Sequence, residues 1–182
     1  MNKYLVIGDP IDHSLSPTIH NYWIKKNNIK AIYDKERLNN DDLKNLIIKI
    51  RERNIIGVNV TVPFKKKVIP YLDKLTSGAE VTQSVNTIIL NDDNKIVGYN
   101  TDIDGFESAI KYTKYDISGK KIFILGSGGV TPSIIFALYK MNVSSITITN
   151  RTKTKAENLQ NFYNSNTVKK KGWNDIKVVD WG

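Results

Sequence analysis

The stretch "KKIFILGSGGVTPS", Lys120–Ser133, decides how this chain is read. Ile122, Phe123, Ile124 and Leu125 make an apolar run of strand length, glycines follow at 126, 128 and 129, and Pro132 stands where a helix opens. In that order the free N–H groups and the dipole of a helix N-terminus are presented to an anion. Residues without side chains let a pyrophosphate approach the main chain. Gly126, Ser127, Gly128, Gly129 and Val130 are therefore candidate cofactor contacts. A plain structural turn is the competing reading. Thr131 stands where a third small residue is usual, which is expected to loosen helix–strand packing.

Toward the C-terminus, "SSITITN" reads as a second strand and Lys153–Tyr163 as a second helix. Roughly two dozen residues after the glycine loop, a protein selective for NAD carries Asp or Glu for the ribose hydroxyls. Here the strand ends instead in Asn150, Arg151 and Thr152. Arg151, with Asn150, Thr152 and Lys155, can hold a 2′-phosphate through charge-assisted hydrogen bonds, which points to NADP. The alternative is an ordinary basic helix start, unfavourable beside the helix's positive end unless an anion binds there. In the tail from Val168 to Gly182, only "IKVVDW" suggests a third strand.

Toward the N-terminus, Lys3–Ile7 reads as a strand, and Ser16 as the N-cap of a helix with Pro17 at its first position, running to about Asn27. A strand at Ala31–Arg37 follows, then an amphipathic helix at Asp41–Arg53 with Leu43, Leu46, Ile47 and Ile50 on one face. In "GVNVTVPFKKKVIP", Gly57–Pro70, the alternation sets Val58, Val60 and Val62 against Asn59 and Thr61. This β-α-β-α-β order favours a parallel sheet. Val85–Leu90 and Lys95–Tyr99, joined by "NDDN", suggest a hairpin on the end of that sheet, and Thr101 can cap a helix through Ile103, Phe106 and Ile110. The expected fold class is α/β. A parallel or mixed-sheet domain over 1–101 precedes the first half of a Rossmann-type dinucleotide domain over 102–182.

The 27 basic and 18 acidic residues give a net charge of +9, but the lysines are scattered and outnumber the arginines. The excess reads as compositional, and no nucleic-acid partner is expected. Anionic small molecules remain natural ligands. The lack of cysteine removes disulfides and thiolate chemistry. His13 and His20 have no third metal ligand beside them and read as packing or hydrogen-bonding residues, so no metal is expected. No apolar run approaches the roughly 20 residues of a membrane span, and Met1–Gly8 leads straight into a strand, so a cytoplasmic protein without a membrane partner is expected. Ser14 and Ser16 place two hydroxyls after the first strand, where open α/β sheets bind ligands, although Ser16 serves equally as a helix start. Asp102 lies in the first turn of its helix, where the dipole favours a carboxylate, and Asp104 competes for that place.

Taken together, "SLSPTIHN", "NVTVPFK", "SVNTI", "YNTDIDG", "GSGG" and "NRT" resemble the shikimate dehydrogenase family in order and spacing over nearly the whole chain. The resemblance implies a substrate domain followed by an NADP-binding Rossmann domain. It implies reversible NADPH-linked reduction of 3-dehydroshikimate to shikimate in aromatic amino acid biosynthesis. Ser14 and Ser16 match the serines that hold the substrate carboxylate, Thr61, Asn86 and Asp102 match residues that bind its ring hydroxyls, and Lys65 matches the catalytic lysine. Asp102 is then also catalytic, orienting substrate and lysine, while Lys66 and Lys67 face solvent. Ser84 departs from the family's usual small residue. The resemblance further implies a second β-α-β half and a closing helix, so these 182 residues read as a C-terminally truncated member. The alternatives are a quinate/shikimate dehydrogenase using NAD and a non-catalytic NADP-binding module. Oligomeric state is not legible.

Overall fold

Strand β1 (Asn2–Gly8) is an interior strand of the first sheet because its apolar run allows it: Leu5, Val6 and Ile7 are all buried, as a parallel strand covered on both faces requires. In the computed structural model, which describes residues 1–165, 168–169 and 173–182, the chain divides into two compact units, Met1–Asn100 and Thr101–Gly182. Positions 170–172 of the tail lie outside the described residues.

In the first unit, β1 pairs in parallel with β2 (Ala31–Arg37) on one side and β3 (Gly57–Val60) on the other. Helices α1 (Ser16–Lys26) and α2 (Asp42–Arg51) make the crossovers. Leu43, Leu46, Ile47 and Ile50 of α2 are buried at the predicted spacing, in a core shared with Leu5, Ile7, Val58, Val60, Phe64 and Ile88. The six-stranded sheet continues through β5 (Thr87–Leu90), β6 (Ile96–Tyr99) and the short β4 (Lys74–Leu75), in the order β2-β1-β3-β5-β6-β4.

Three expectations are corrected here. The hairpin does extend the parallel strands beyond β3, with β5 pairing antiparallel to it, but it is not the edge: the short β4, which has little sequence signature, closes the sheet against β6. Val62 does not continue the face of Val58 and Val60, which are buried, but is 56% exposed, because the strand ends at Val60. The Thr61 N–H goes to the Ile7 carbonyl at 3.0 Å and the Phe64 N–H to the Thr61 carbonyl at 2.9 Å, a turn that swings Val62 outward. Nor is Ser16 the N-cap. Leu15 occupies that position with Ser16 and Pro17 already helical, and the Ser16 N–H reaches back to Ser14 Oγ at 3.3 Å. A short helix α3 (Ser77–Thr82) joins β4 to β5.

The second unit opens with α4 (Asp102–Tyr112) and continues as β7 (Lys121–Leu125), α5 (Thr131–Lys140), β8 (Ser145–Thr149), α6 (Lys153–Asn164) and β9 (Lys177–Val179). All pairings in the sheet β7-β8-β9 are parallel, and β9 comes from the "IKVVDW" segment. Ile135, Leu138, Tyr139, Ile146, Ile148, Tyr163 and Ile176 form its core, with Trp173 stacked on Tyr139 at 4.2 Å. Thr131 is buried, and its hydroxyl donates to the Gly126 carbonyl at 3.4 Å, so the departure at this position adds a bond across the loop.

Candidate active site

Parallel strand order puts the first site where it is. The chain leaves β1 toward β2 and returns as β3 on β1's other side, so the segments following β1 and β3 emerge at one switch point of the sheet. Gly8 ends β1, and a Cβ there would meet Thr61 Cγ2 at 2.7 Å and Ile11 Cδ1 at 2.9 Å. The missing side chain is what lets Thr61 close against β1. Ser14 and Ser16 follow, both half-buried, with the Ser14 N–H bonded to the Ile11 carbonyl at 3.0 Å.

From Tyr33 a hydrogen-bonded network runs across the sheet. The Tyr33 hydroxyl on β2 lies 2.7 Å from Asn59 Oδ1 on β3, with the Ser16 side chain nearby. An amide oxygen only accepts, so the Tyr33 proton points to Asn59. Asn59 Nδ2 then donates to Thr87 Oγ1 at 3.0 Å and to the Asn86 carbonyl at 3.3 Å, and the Thr87 hydroxyl donates to Asn86 Oδ1 at 3.1 Å. Tyr33 and Asn86 are thereby linked across β2, β3 and β5. Burial pushes the Tyr33 hydroxyl up to about 12, with the nearby Ser16 side chain pulling the other way. His20 stacks on the Tyr33 ring at 4.1 Å, and burial lowers its imidazole below 6.5. The Asn21 side chain clasps the Tyr33 main chain, accepting its N–H at 3.0 Å and donating to its carbonyl at 2.7 Å. His20 thus packs as expected, whereas His13 is exposed and does not.

Tyr33 and Thr87 were missed by sequence reasoning. Nothing in "AIYDKER" distinguishes a network tyrosine from a packed one, since its partner lies 26 residues away.

Lys65 sits between the buried anchors Phe64 and Val68, and its carbonyl accepts the Val85 N–H at 2.9 Å, which ties its backbone to the start of the Asn86 segment. It is half-buried, while Lys66 and Lys67 are exposed, Lys67 Nζ lying 2.9 Å from Asn40 Oδ1. Ser14, Ser16, Thr61, Lys65 and Asn86 all belong to the first unit. Asp102 begins α4 in the second. Thr101 occupies the N-cap position there but with helical φ and ψ, so the expected side-chain cap is not formed. Asp104 is directed to Lys140 of α5, at 3.8 Å.

The second unit carries the glycine loop between β7 and α5. Gly126 has φ +105°, a conformation that side chains disfavour, and its N–H bonds to the Thr149 carbonyl at 2.8 Å. A Cβ on Gly126 or Gly128 would meet nothing within 4 Å, so there is open room over the loop. Ser127 Oγ is buried with no hydrogen-bond partner among the described residues. Arg151, Thr152 and Lys155 are exposed at the start of α6, whose first turn holds no acid, and Arg151 has no acidic partner among the described residues. Room, an orphaned hydroxyl, a helix N-terminus and unpaired positive charge suit a pyrophosphate beside a further phosphate. Asn150 is engaged within the protein: Oδ1 accepts the Ser127 N–H at 3.1 Å and Nδ2 donates to the Thr152 carbonyl at 2.8 Å. Among the described residues no group of three acids or histidines is placed to hold a metal ion.

Two family models match the chain: the shikimate dehydrogenase substrate binding domain over residues 6–88, and shikimate / quinate 5-dehydrogenase over residues 107–179. The shikimate dehydrogenase (NADP(+)) of Pelagibacter ubique (strain HTCC1062) is 49% identical over 179 residues, covering 98% of this chain and 63% of that protein. A crystal structure of a shikimate dehydrogenase in complex with NADP+ superimposes with a TM-score of 0.88 at 33% identity, covering 99% of this chain and 61% of the other. The Listeria monocytogenes shikimate 5-dehydrogenase, in complex with shikimate and NAD, gives 0.85 at 34% identity, with 99% and 61% covered. The chain thus spans a little over three-fifths of the length of these relatives.

Proposed function

We propose that this chain, which belongs to the shikimate dehydrogenase family, carries the substrate domain (1–101) and the adenine-binding half of the NADP domain (102–182) of an enzyme that reversibly reduces 3-dehydroshikimate to shikimate. Bound NADPH supplies the hydride for the C3 carbonyl. The oxyanion that develops needs a proton and a positive charge beside it, and an ammonium supplies both. Lys65 takes that role as proton donor, held by the Phe64 and Val68 anchors. Ser14 and Ser16 bind the substrate carboxylate, and Thr61 and Asn86 its ring hydroxyls. Asp102 orients the same end of the substrate. Gly126, Ser127, Gly128, Gly129 and Val130 receive the pyrophosphate, and Arg151, Thr152 and Lys155, with Asn150, form the 2′-phosphate end.

The observation that carries the reading is the network from Tyr33 through Asn59 and Thr87 to Asn86, one of the residues the family resemblance assigns to the substrate. The name of the Pelagibacter relative and the NADP+ complex of another support the choice of cofactor. The NAD complex of the Listeria relative supports NAD as the second reading. No described helix is long and apolar enough to cross a membrane, and a cytoplasmic location goes with a chain lacking cysteine. The test is calorimetric titration of the 182-residue chain with shikimate, quinate, NADP+ and NAD+. Saturable binding of shikimate and NADP+, each weakened or lost in Ser14→Ala/Ser16→Ala and Arg151→Ala respectively, is expected. Tighter binding of quinate and NAD+ selects the second reading, and binding of none of the four overturns both.

A further inference from the structure

We propose that Asn150 is a positioning residue that latches the glycine loop to the Arg151–Thr152 segment, so that the two phosphate-binding segments order as one; this deepens the dinucleotide reading above and rests on it. The side chain bridges two segments, accepting the N–H of Ser127, 23 residues earlier in sequence, at 3.1 Å while donating to the Thr152 carbonyl at 2.8 Å. The loop is also fastened to the end of β8, by Gly126 N–H to Thr149 carbonyl at 2.8 Å, and to α5, by Thr131 N–H to Gly128 carbonyl at 3.1 Å and Thr131 Oγ1 to Gly126 carbonyl at 3.4 Å. Asn150 extends the tie past the strand end to the Thr152 carbonyl, on the segment that carries Arg151.

The chemistry of the bridge requires an amide. One partner is a donor and the other an acceptor, so the bridging group must accept at one end and donate at the other. A carboxylate at this position keeps the bond to Ser127 but cannot donate to Thr152, and it sets a negative charge beside the Arg151 site. A hydroxyl is too short to span both. The Ser127 N–H, turned toward Asn150, leaves the later donors of the loop, from Gly128 onward, for an anion. Because Thr152 lies at the 2′-phosphate end and Ser127 at the pyrophosphate end, releasing the latch loosens both. Asn150 therefore affects dinucleotides with and without the 2′-phosphate alike, whereas Arg151 separates them.

Amide hydrogen exchange of the 182-residue chain tests the latch without any cofactor. Loss of one hydrogen bond corresponds to roughly twofold to tenfold faster exchange, so Asn150→Ala is expected to speed the Ser127 amide by at least that much while α5 and β8 are unchanged. Asn150→Asp is expected to keep Ser127 protected yet free the Thr152 segment, and serves if the alanine variant does not fold. Ser127 exchange indistinguishable from wild type in Asn150→Ala overturns the proposal. Calorimetry with NADP+ and NAD+ tests the consequence: Asn150→Ala should weaken both by a similar factor, about fivefold, with their ratio kept within about twofold. A loss confined to NADP+ makes Asn150 a direct 2′-phosphate ligand and overturns it. If wild type binds neither dinucleotide, the functional reading fails, and the exchange result still decides whether the latch exists.

Discussion

Tyr33→Phe removes one oxygen and nothing else from the network, and its effect can be worked from the contacts. The ring stays stacked on His20, so little apolar burial is lost. Asn59 Oδ1, which accepts the Tyr33 proton at 2.7 Å, is left without that donor. An acceptor stripped of its partner costs about 1–3 kcal/mol when buried, and Asn59 is half-buried. We therefore expect the first unit to lose about 2 kcal/mol in urea unfolding followed by fluorescence of Trp23, the only tryptophan in that unit. Shikimate binding should weaken about tenfold as Asn59 and, through Thr87, Asn86 lose their fixed orientation. A double-mutant cycle with Asn59→Ala should show coupling of about 1 kcal/mol or more. Stability within about 0.3 kcal/mol of wild type, together with additive single variants, would refute the network. A pH series adds a signed test. The folded Tyr33 holds its proton up to about 12 against 10.0 for the free side chain, so between those values the native state binds more protons than the unfolded one and wild-type stability falls as pH rises. Tyr33→Phe should remove that contribution from the first unit.

The remaining predictions concern chemistry and cofactor, assayed in an enzyme of the relatives' full length. Lys65→Ala should lower kcat by orders of magnitude with a much smaller change in KM, because a proton donor acts mainly in the transition state; a kcat within about tenfold of wild type, about 1.4 kcal/mol of barrier, removes Lys65 from that role. Ser14→Ala or Ser16→Ala should raise KM for shikimate more than it lowers kcat, and a collapsed kcat at unchanged KM would mean that the serines serve the reacting end of the substrate. Arg151→Ala should erase about tenfold to a hundredfold of preference for NADP+ over NAD+, the worth of one charge-assisted contact, and the wild-type preference should shrink with salt because the site is exposed. An unchanged cofactor ratio in that variant refutes the assignment.

Local pattern alone determined much of this protein. The apolar run, glycines and proline of Lys120–Ser133 specify strand, loop and helix because each depends on its own residues, and the same holds for the apolar face of α2 and the short β9. The identities of the site residues came from six spaced motifs and their family resemblance, since a lone serine, lysine or aspartate has an ordinary structural use. Tertiary structure decided what depends on distant partners. The hairpin entered the sheet beside β3 because β5 found its backbone partners there, a pairing some thirty residues away in sequence that no local alternation encodes. Leu15 took the N-cap position from Ser16 once the Ser16 N–H had Ser14 Oγ to reach. Tyr33 meeting Asn59, and Asn150 meeting Ser127, are hydrogen bonds between side chains and groups 26 and 23 residues apart, so their donors and acceptors acquire direction only when the sheets have formed.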